Sequence, residues 1–190
     1  VKLNLKKLMG NKDKIVDDLT KGIEFLFKKN KIDYLQGLGT IEKPGTVVVT
    51  NGEKKTTYET NNIVIATGSD SAPLPGVEVD QKQIVTSTGA LSLAKVPKHM
   101  AIIGGGVIGL EIGSIWARFG AKVTVVEFLD RILPTNDGEV SKQFQRILKK
   151  QQFEFRLSTK VIGAKKTKTG VTLTMVPAAG GKEETIKADV

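Results

Sequence analysis

Met100-Ala101-Ile102-Ile103-Gly104-Gly105-Gly106-Val107-Ile108-Gly109-Leu110-Glu111-Ile112-Gly113 decides the fold of this chain. An apolar run enters a G-x-G-x-x-G turn and leaves as an amphipathic helix, which is the pattern of a dinucleotide-binding strand–turn–helix. Gly104 permits the tight exit from the strand. Gly106 lets backbone approach a pyrophosphate with no Cβ in the way, and Gly109 lets the helix pack closely on the strand. The phosphates then sit on the helix N-terminus, where unpaired N–H groups and the positive end of the dipole converge.

A G-x-G-x-x-G alone is a weak signal, so the flanks carry weight. Beyond the helix, Lys122-Val123-Thr124-Val125-Val126-Glu127 reads as a second strand ending in a carboxylate. Glu127 falls where the acid that accepts the adenosine ribose hydroxyls is expected. A 2′-phosphate is repelled by such an acid, so NAD is favoured over NADP; Arg131, the one nearby cation, makes a poor phosphate clamp beside it. The bland alternative is a glycine-rich turn without a ligand and an ordinary surface glutamate.

Working outward, 190 residues of which 39% are apolar leave room for one large or two small cores. No apolar run approaches the roughly 20 residues a membrane-spanning helix needs. The chain has no cysteine, which removes disulfides, thiolate metal sites and thiol nucleophiles from what these residues do unaided. No metal-ligand cluster is expected. The net charge of +9 is spread over pairs such as Lys28-Lys29, Lys149-Lys150 and Lys165-Lys166, and only 5% of residues are aromatic. A solvated basic surface therefore explains the charge better than a nucleic-acid site, which needs stacking platforms among the cations. The chain begins at Val1 without an initiator Met and stops at Ala188-Asp189-Val190, where a strand is expected to start, so it is expected to be a piece of a longer protein; the bland alternative is a mature processed chain whose last strand is short.

Ile15, Leu19, Ile23 and Leu26 predict an amphipathic helix over 13–29. A short strand is expected at 32–35, a hairpin over 46–50 and 55–59 around Asn51-Gly52, and a buried strand at Asn62-Ile63-Val64-Ile65-Ala66. Residues 70–98 read as a connector with one helical turn at 88–93, and the boundary of the nucleotide unit falls near Pro97. The helix after the glycine turn is expected to bury Ile108, Ile112, Ile115 and Phe119. A second helix starts at Asn136 with Glu139 completing a capping box, burying Val140, Phe144, Ile147 and Leu148. Phe153-Glu154-Phe155-Arg156-Leu157 is the third parallel strand. Alternating strands follow from Val161 on, including 171–175 and 184–187. His99, the only histidine, is expected on the surface.

The order Ile-Ala-Thr-Gly-Ser (65–69), Pro-x-Pro-Gly (73–76), Ser-Thr-Gly-Ala-Leu (87–91), Ile-Gly-Gly-Gly-Val-Ile-Gly-Leu-Glu (103–111) and Val-Thr-Val-Val-Glu (123–127) resembles the two-dinucleotide pyridine nucleotide–disulfide oxidoreductase family. Within it the likeness is to the dihydrolipoamide dehydrogenase branch, chiefly through Ser-Thr-Gly-Ala-Leu and residues 141–148. The resemblance implies an α/β, Rossmann-like flavoprotein fold. Residues 1–94 would be the back part of an FAD-binding segment with its connector, and 95–190 most of an NAD-binding domain with a β-meander.

It further implies that Gly39, Thr67, Gly68 and Ser69 line FAD. Gly104, Gly105, Gly106, Val107, Ile108, Gly109, Leu110, Glu111, Glu127 and Val161 would line NAD, with Glu111 near the meeting point of nicotinamide and flavin. The bland alternatives are a turn glycine at 39, a core valine at 161 and a helix-surface acid at 111. The implied activity is oxidation of protein-bound dihydrolipoamide through a redox disulfide and FAD to NAD. The first FAD glycine fingerprint, the paired redox cysteines and the catalytic histidine have no counterpart here, so no catalytic residue is assigned and these residues alone are not expected to be active. Implied partners are lipoyl domains of 2-oxo acid dehydrogenase or glycine cleavage complexes and a second copy of the protein. The implied location is the mitochondrial matrix in a eukaryote and otherwise the cytoplasm. Another FAD- and NAD(P)-dependent disulfide reductase or NADH oxidoreductase on the same scaffold, or a non-catalytic nucleotide-binding module, stays open.

Overall fold

The computed structural model describes residues 2–190 and falls into two compact units, one of residues 7–70 and one holding residues 71–190 with those ahead of Lys7. In the first, helix α1 (Leu5–Lys29) starts two turns before the expected position, because Leu5 and Leu8 continue the apolar spacing upstream. Its stripe stays open: Ile15, Leu19 and Ile23 are 59%, 65% and 51% exposed.

Strands β1 (Leu38–Lys43), β2 (Thr46–Asn51) and β3 (Lys54–Glu59) form an antiparallel sheet in that order. Asn51 pairs with Lys54, so the hairpin turn is Gly52-Glu53, with Gly52 at φ +60 as a first central position of this kind requires. The strand expected at 32–35 does not form. Lys31 takes a left-handed φ of 56, and the amides of Lys31 and Ile32 bond back to Lys28 and Phe27 at 3.2 and 2.9 Å, closing the helix. Tyr34 then packs edge-on against Phe27 at 5.6 Å, and pairing begins only at Leu38. The buried strand expected at 62–66 is also absent. Val64 and Ile65 are 87% and 72% exposed, and none of the three sheets takes the segment as a neighbour. An apolar run of that kind is a strand only when flanking strands satisfy its backbone.

The second unit holds α2 (Ser87–Ala90), β4 (His99–Ile103), α3 (Val107–Arg118), β5 (Lys122–Val126), α4 (Gly138–Lys150) and β6 (Phe153–Arg156), followed by β7 (Thr159–Lys166), β8 (Val171–Pro177) and β9 (Glu184–Ala188). Strands β4, β5 and β6 are parallel with β5 central, in register Ile102 to Val125 and Val125 to Phe155. Strands β7, β8 and β9 make the expected antiparallel meander. Alternation along β5 divides the core in two. Val123 and Val125 pack with Leu110, Ile132, Leu148 and Phe153, while Val126 packs with Val161, Leu173 and Met175.

The helix faces differ from the expected ones. In α3 the buried residues are Leu110, Ile112, Gly113 and Trp116, whereas Ile108 and Ile115 are 61% and 40% exposed. The small residues set this rotation: a Cβ at Gly113 would lie 2.7 Å from Ile102 Cδ1, so the helix lays its glycines on β4. Helix α4 is capped by Asp137, not Asn136, with Asp137 Oδ1 accepting from Glu139 N at 2.9 Å and Val140 N at 3.3 Å. It buries Leu148 and Ser141, leaving Val140 and Ile147 about half exposed. Trp116 is 2% exposed, donates its indole N–H to Ala90 O at 3.0 Å and lies edge-on to Phe119 at 5.9 Å.

His99 is not a free surface residue. Its Nδ1 is 2.8 Å from the Lys187 carbonyl and its Nε2 is 2.8 Å from Thr124 Oγ1, so it joins β9 to the parallel sheet. Because a carbonyl only accepts, Nδ1 carries the proton. Asp189 completes the seam by accepting from Lys98 N and His99 N at 2.6 and 2.9 Å.

The connector is anchored to the meander. Ala164 N donates to Gly76 O at 3.1 Å, and Gln83 Nε2 donates to Thr167 O at 3.2 Å. Asp80 Oδ1 accepts from the amides of Ile84, Lys82 and Gln83, and Oδ2 lies 3.4 Å from Lys166 Nζ. These bonds, that from Ile84 foremost, hold the Asp80 carboxyl well below its ordinary value. A depressed acid contributes stability that is complete above its unfolded pKa, here near 3.8, and that is lost as pH falls further. Asp80→Ala should therefore lower stability at neutral pH and flatten its dependence on pH below about 4. Parallel acid titrations of both proteins by circular dichroism check this; equal slopes would refute it.

Candidate dinucleotide-binding site

The site is built where β4 ends and α3 begins. Gly104, at φ +101, turns the chain out of the strand while its amide donates to Val126 O at 2.8 Å. Gly106 is the N-cap of α3 and, lacking a side chain, offers no cap to the helix's first amides. At α4 the corresponding donors are taken by Asp137, so the α3 terminus alone of this pair keeps them for an external acceptor. Positions for a Cβ at Gly104 and Gly106 meet nothing within 4 Å, whereas one at Gly109 would lie 2.9 Å from Ile102 Cγ2 and 3.1 Å from Gly104 O. The turn thus has free space on its outer side and close helix–strand packing behind it.

Glu127 sits one residue past β5, directly beside this turn. Its Oε2 accepts from Gly105 N at 2.6 Å and its Oε1 from Leu129 N at 2.8 Å. An ionised carboxylate has about four lone-pair positions. One on each oxygen is committed to backbone, which leaves one on each for a vicinal diol. Arg131 donates to Pro134 O at 2.8 Å, a bond that ties its guanidinium to the loop after β5. The residues present fit a nucleotide with an unphosphorylated ribose.

The other expected site residues are placed as follows. Val107, Ile108 and Glu111 are exposed on α3, and Leu110 and Val161 are core residues at 1% and 8% exposure. Any contact from Leu110 is therefore limited to its backbone, whose amide already serves the helix through Gly106 O at 3.1 Å. In the unit of residues 7–70, Gly39 lies in β1 opposite Val49, and Thr67, Gly68 and Ser69 follow in exposed chain with Gly68 at φ +75. Open space surrounds the Cβ positions of both glycines. No cluster of metal-ligating side chains occurs among the described residues.

Sequence reasoning did not single out the loop that supports the turn. Leu133 N donates to Gly105 O at 2.9 Å, and Ile132 Cγ2 would be 3.0 Å from a Cβ at Gly105. Of the three consecutive glycines, Gly105 is thus the one confined by the protein itself. The run of three glycines was the one signal available for this.

A profile of the pyridine nucleotide-disulphide oxidoreductase family matches residues 2–190. The chain is 51% identical over 191 residues to mitochondrial dihydrolipoyl dehydrogenase of Pisum sativum, covering 100% of itself and 38% of that protein. It is 51% identical over 188 residues to dihydrolipoyl dehydrogenase 3 of Pseudomonas putida, covering 98% of itself and 40% of the relative. Among solved structures, a copper(II) complex of an HOCl-induced flavoprotein disulfide reductase from Escherichia coli superimposes with a TM-score of 0.79 at 26% identity, over 97% of this chain and 41% of that one. The chain therefore spans about two fifths of the proteins it matches. With a family match over every described residue and relatives about half identical along the whole chain, the chain belongs to the pyridine nucleotide-disulphide oxidoreductase family.

Proposed function

We propose that these residues are the nucleotide-accepting part of a dihydrolipoyl dehydrogenase, which oxidises protein-bound dihydrolipoamide and reduces NAD by way of FAD and a redox disulfide outside this chain. The observation that carries the proposal is the Glu127 carboxylate, held by Gly105 N and Leu129 N next to the uncapped N-terminus of α3. In this reading residues 95–190 are the NAD-binding domain, and residues 1–94 belong to the FAD-binding segment. FAD and NAD supply the hydride chemistry when bound. The chain's own groups bind and orient: amides of Val107, Ile108 and Gly109 for the pyrophosphate, Glu127 for the ribose, Val161 along the adenosine end, and Glu111 toward the nicotinamide. Gly39, Thr67, Gly68 and Ser69 line the flavin. The complete protein works as a homodimer with lipoyl domains of 2-oxo acid dehydrogenase or glycine cleavage complexes, in the mitochondrial matrix of a eukaryote or the cytoplasm of a bacterium.

The test is made on the full-length protein. It should purify yellow, with flavin absorbance, and reduce NAD when given dihydrolipoamide. A colourless protein, or one in which dihydrolipoamide leaves NAD untouched, would defeat the proposal. The Escherichia coli reductase, with the same fold at 26% identity, favours a second reading in which another disulfide is the substrate. Retained flavin with turnover of a different disulfide and none of lipoamide would select it.

A further inference from the structure

The glycine turn is tied to the rest of the unit by a chain of hydrogen bonds that ends on a buried hydroxyl. Ser141, in the first turn of α4, is 2% exposed, and its single hydroxyl proton is shared between two carbonyls, Leu133 O at 3.1 Å and Asp137 O at 3.0 Å. Leu133 is 8% exposed and takes φ +49, the left-handed region that favours glycine. Its carbonyl also accepts from Asn136 N at 2.9 Å, but that bond closes only the local turn; the Ser141 bond anchors the residue to α4. The Leu133 amide then holds Gly105 O, and the Gly105 amide donates to Glu127 Oε2. A leucine kept in an unfavourable conformation next to a ligand site, and fastened at both its amide and its carbonyl, is the mark of a conformation imposed from outside.

We propose that Ser141 is a positioning residue for the dinucleotide turn, acting through the backbone of Leu133 and Gly105 on Glu127 so that turn and carboxylate are set before the nucleotide arrives. This rests on the NAD-site reading above. The hydroxyl touches no ligand. It fixes the loop that fixes the glycine, and an unfixed turn would have to be ordered at the expense of binding.

Ser141→Ala removes only the hydroxyl. The helical bond from Ser141 N to Asp137 O at 3.0 Å does not need it, and alanine is the better helix former. In the full-length enzyme the variant should raise KM for NAD about three- to tenfold, the effect of one hydrogen bond. At saturating NAD, kcat, flavin content and the rate of flavin reduction by dihydrolipoamide should stay at wild-type values. An unchanged KM overturns the proposal, and so does a KM that rises together with loss of flavin, since that is general damage. A second measurement needs no variant: in nucleotide-free wild-type enzyme, the Gly105 amide should be protected from hydrogen exchange, and exchange at the rate of an open loop overturns the preset turn. Gly106→Val separates the two levels. If it leaves NAD kinetics intact, the site itself is misplaced; if it abolishes them while Ser141→Ala is normal, only the positioning role falls.

Discussion

Gly106→Val in the full-length protein should abolish NAD-dependent turnover while leaving flavin bound and reducible by dihydrolipoamide. The structure makes this substitution informative because the protein itself has room for it. Gly106 has φ −78 and ψ 173, ordinary extended backbone, and nothing lies within 4 Å of its Cβ position. The same change at Gly104, with φ +101, would strain the chain whether or not a ligand binds. A valine at 106 fills only the outer space of the turn, through which a pyrophosphate must approach the amides of α3. Stopped-flow reduction of the flavin, followed by reoxidation with NAD, separates the two half-reactions. Loss of flavin along with NAD activity would show that the turn serves the flavin instead.

Glu127→Ala should have the next largest effect. Hydrogen bonds to a charged group contribute about 1.5–3 kcal/mol each, and this carboxylate makes two to backbone before any ribose is bound. KM for NAD should rise at least about tenfold, and the preference for NAD over NADP should narrow because the repulsion of a 2′-phosphate disappears. The preference should not invert, since Arg131 is engaged with Pro134 O. Initial rates with both nucleotides decide the matter, and an unchanged KM for NAD removes Glu127 from the site.

The elements that sequence made legible are those with local signals. The apolar run before Gly104, the acid at the end of 122–127 and the alternation after Val161 each announce their structure within a few residues, and so does the hairpin around Gly52. What escaped depends on partners distant in sequence. Residues 62–66 have the composition of a strand, but no neighbouring strand among the described residues claims them. The inward face of α3 could not be found by counting large apolar residues, because Gly109 and Gly113 determine which side meets β4, and Ile108 and Ile115 are thereby turned out. Asp137 took the cap from Asn136 by one residue, a shift that only the helix's actual first turn can decide. In the candidate site, the closeness of the glycine turn to Glu127 was readable from spacing, whereas Leu133 and Ser141 join it through backbone carbonyls and amides and carry no residue-type signature at all.

Trp116 is the sole tryptophan of these 190 residues, and its indole is sealed against Ala90 at the seat of α2 on α3. The chain therefore contains its own optical gauge. While α2 remains seated, the fluorophore is buried and should emit at short wavelength; an event that lifts residues 87–90 should hydrate it and shift the emission to the red. The docking of the connector can be followed in real time by light, without a label.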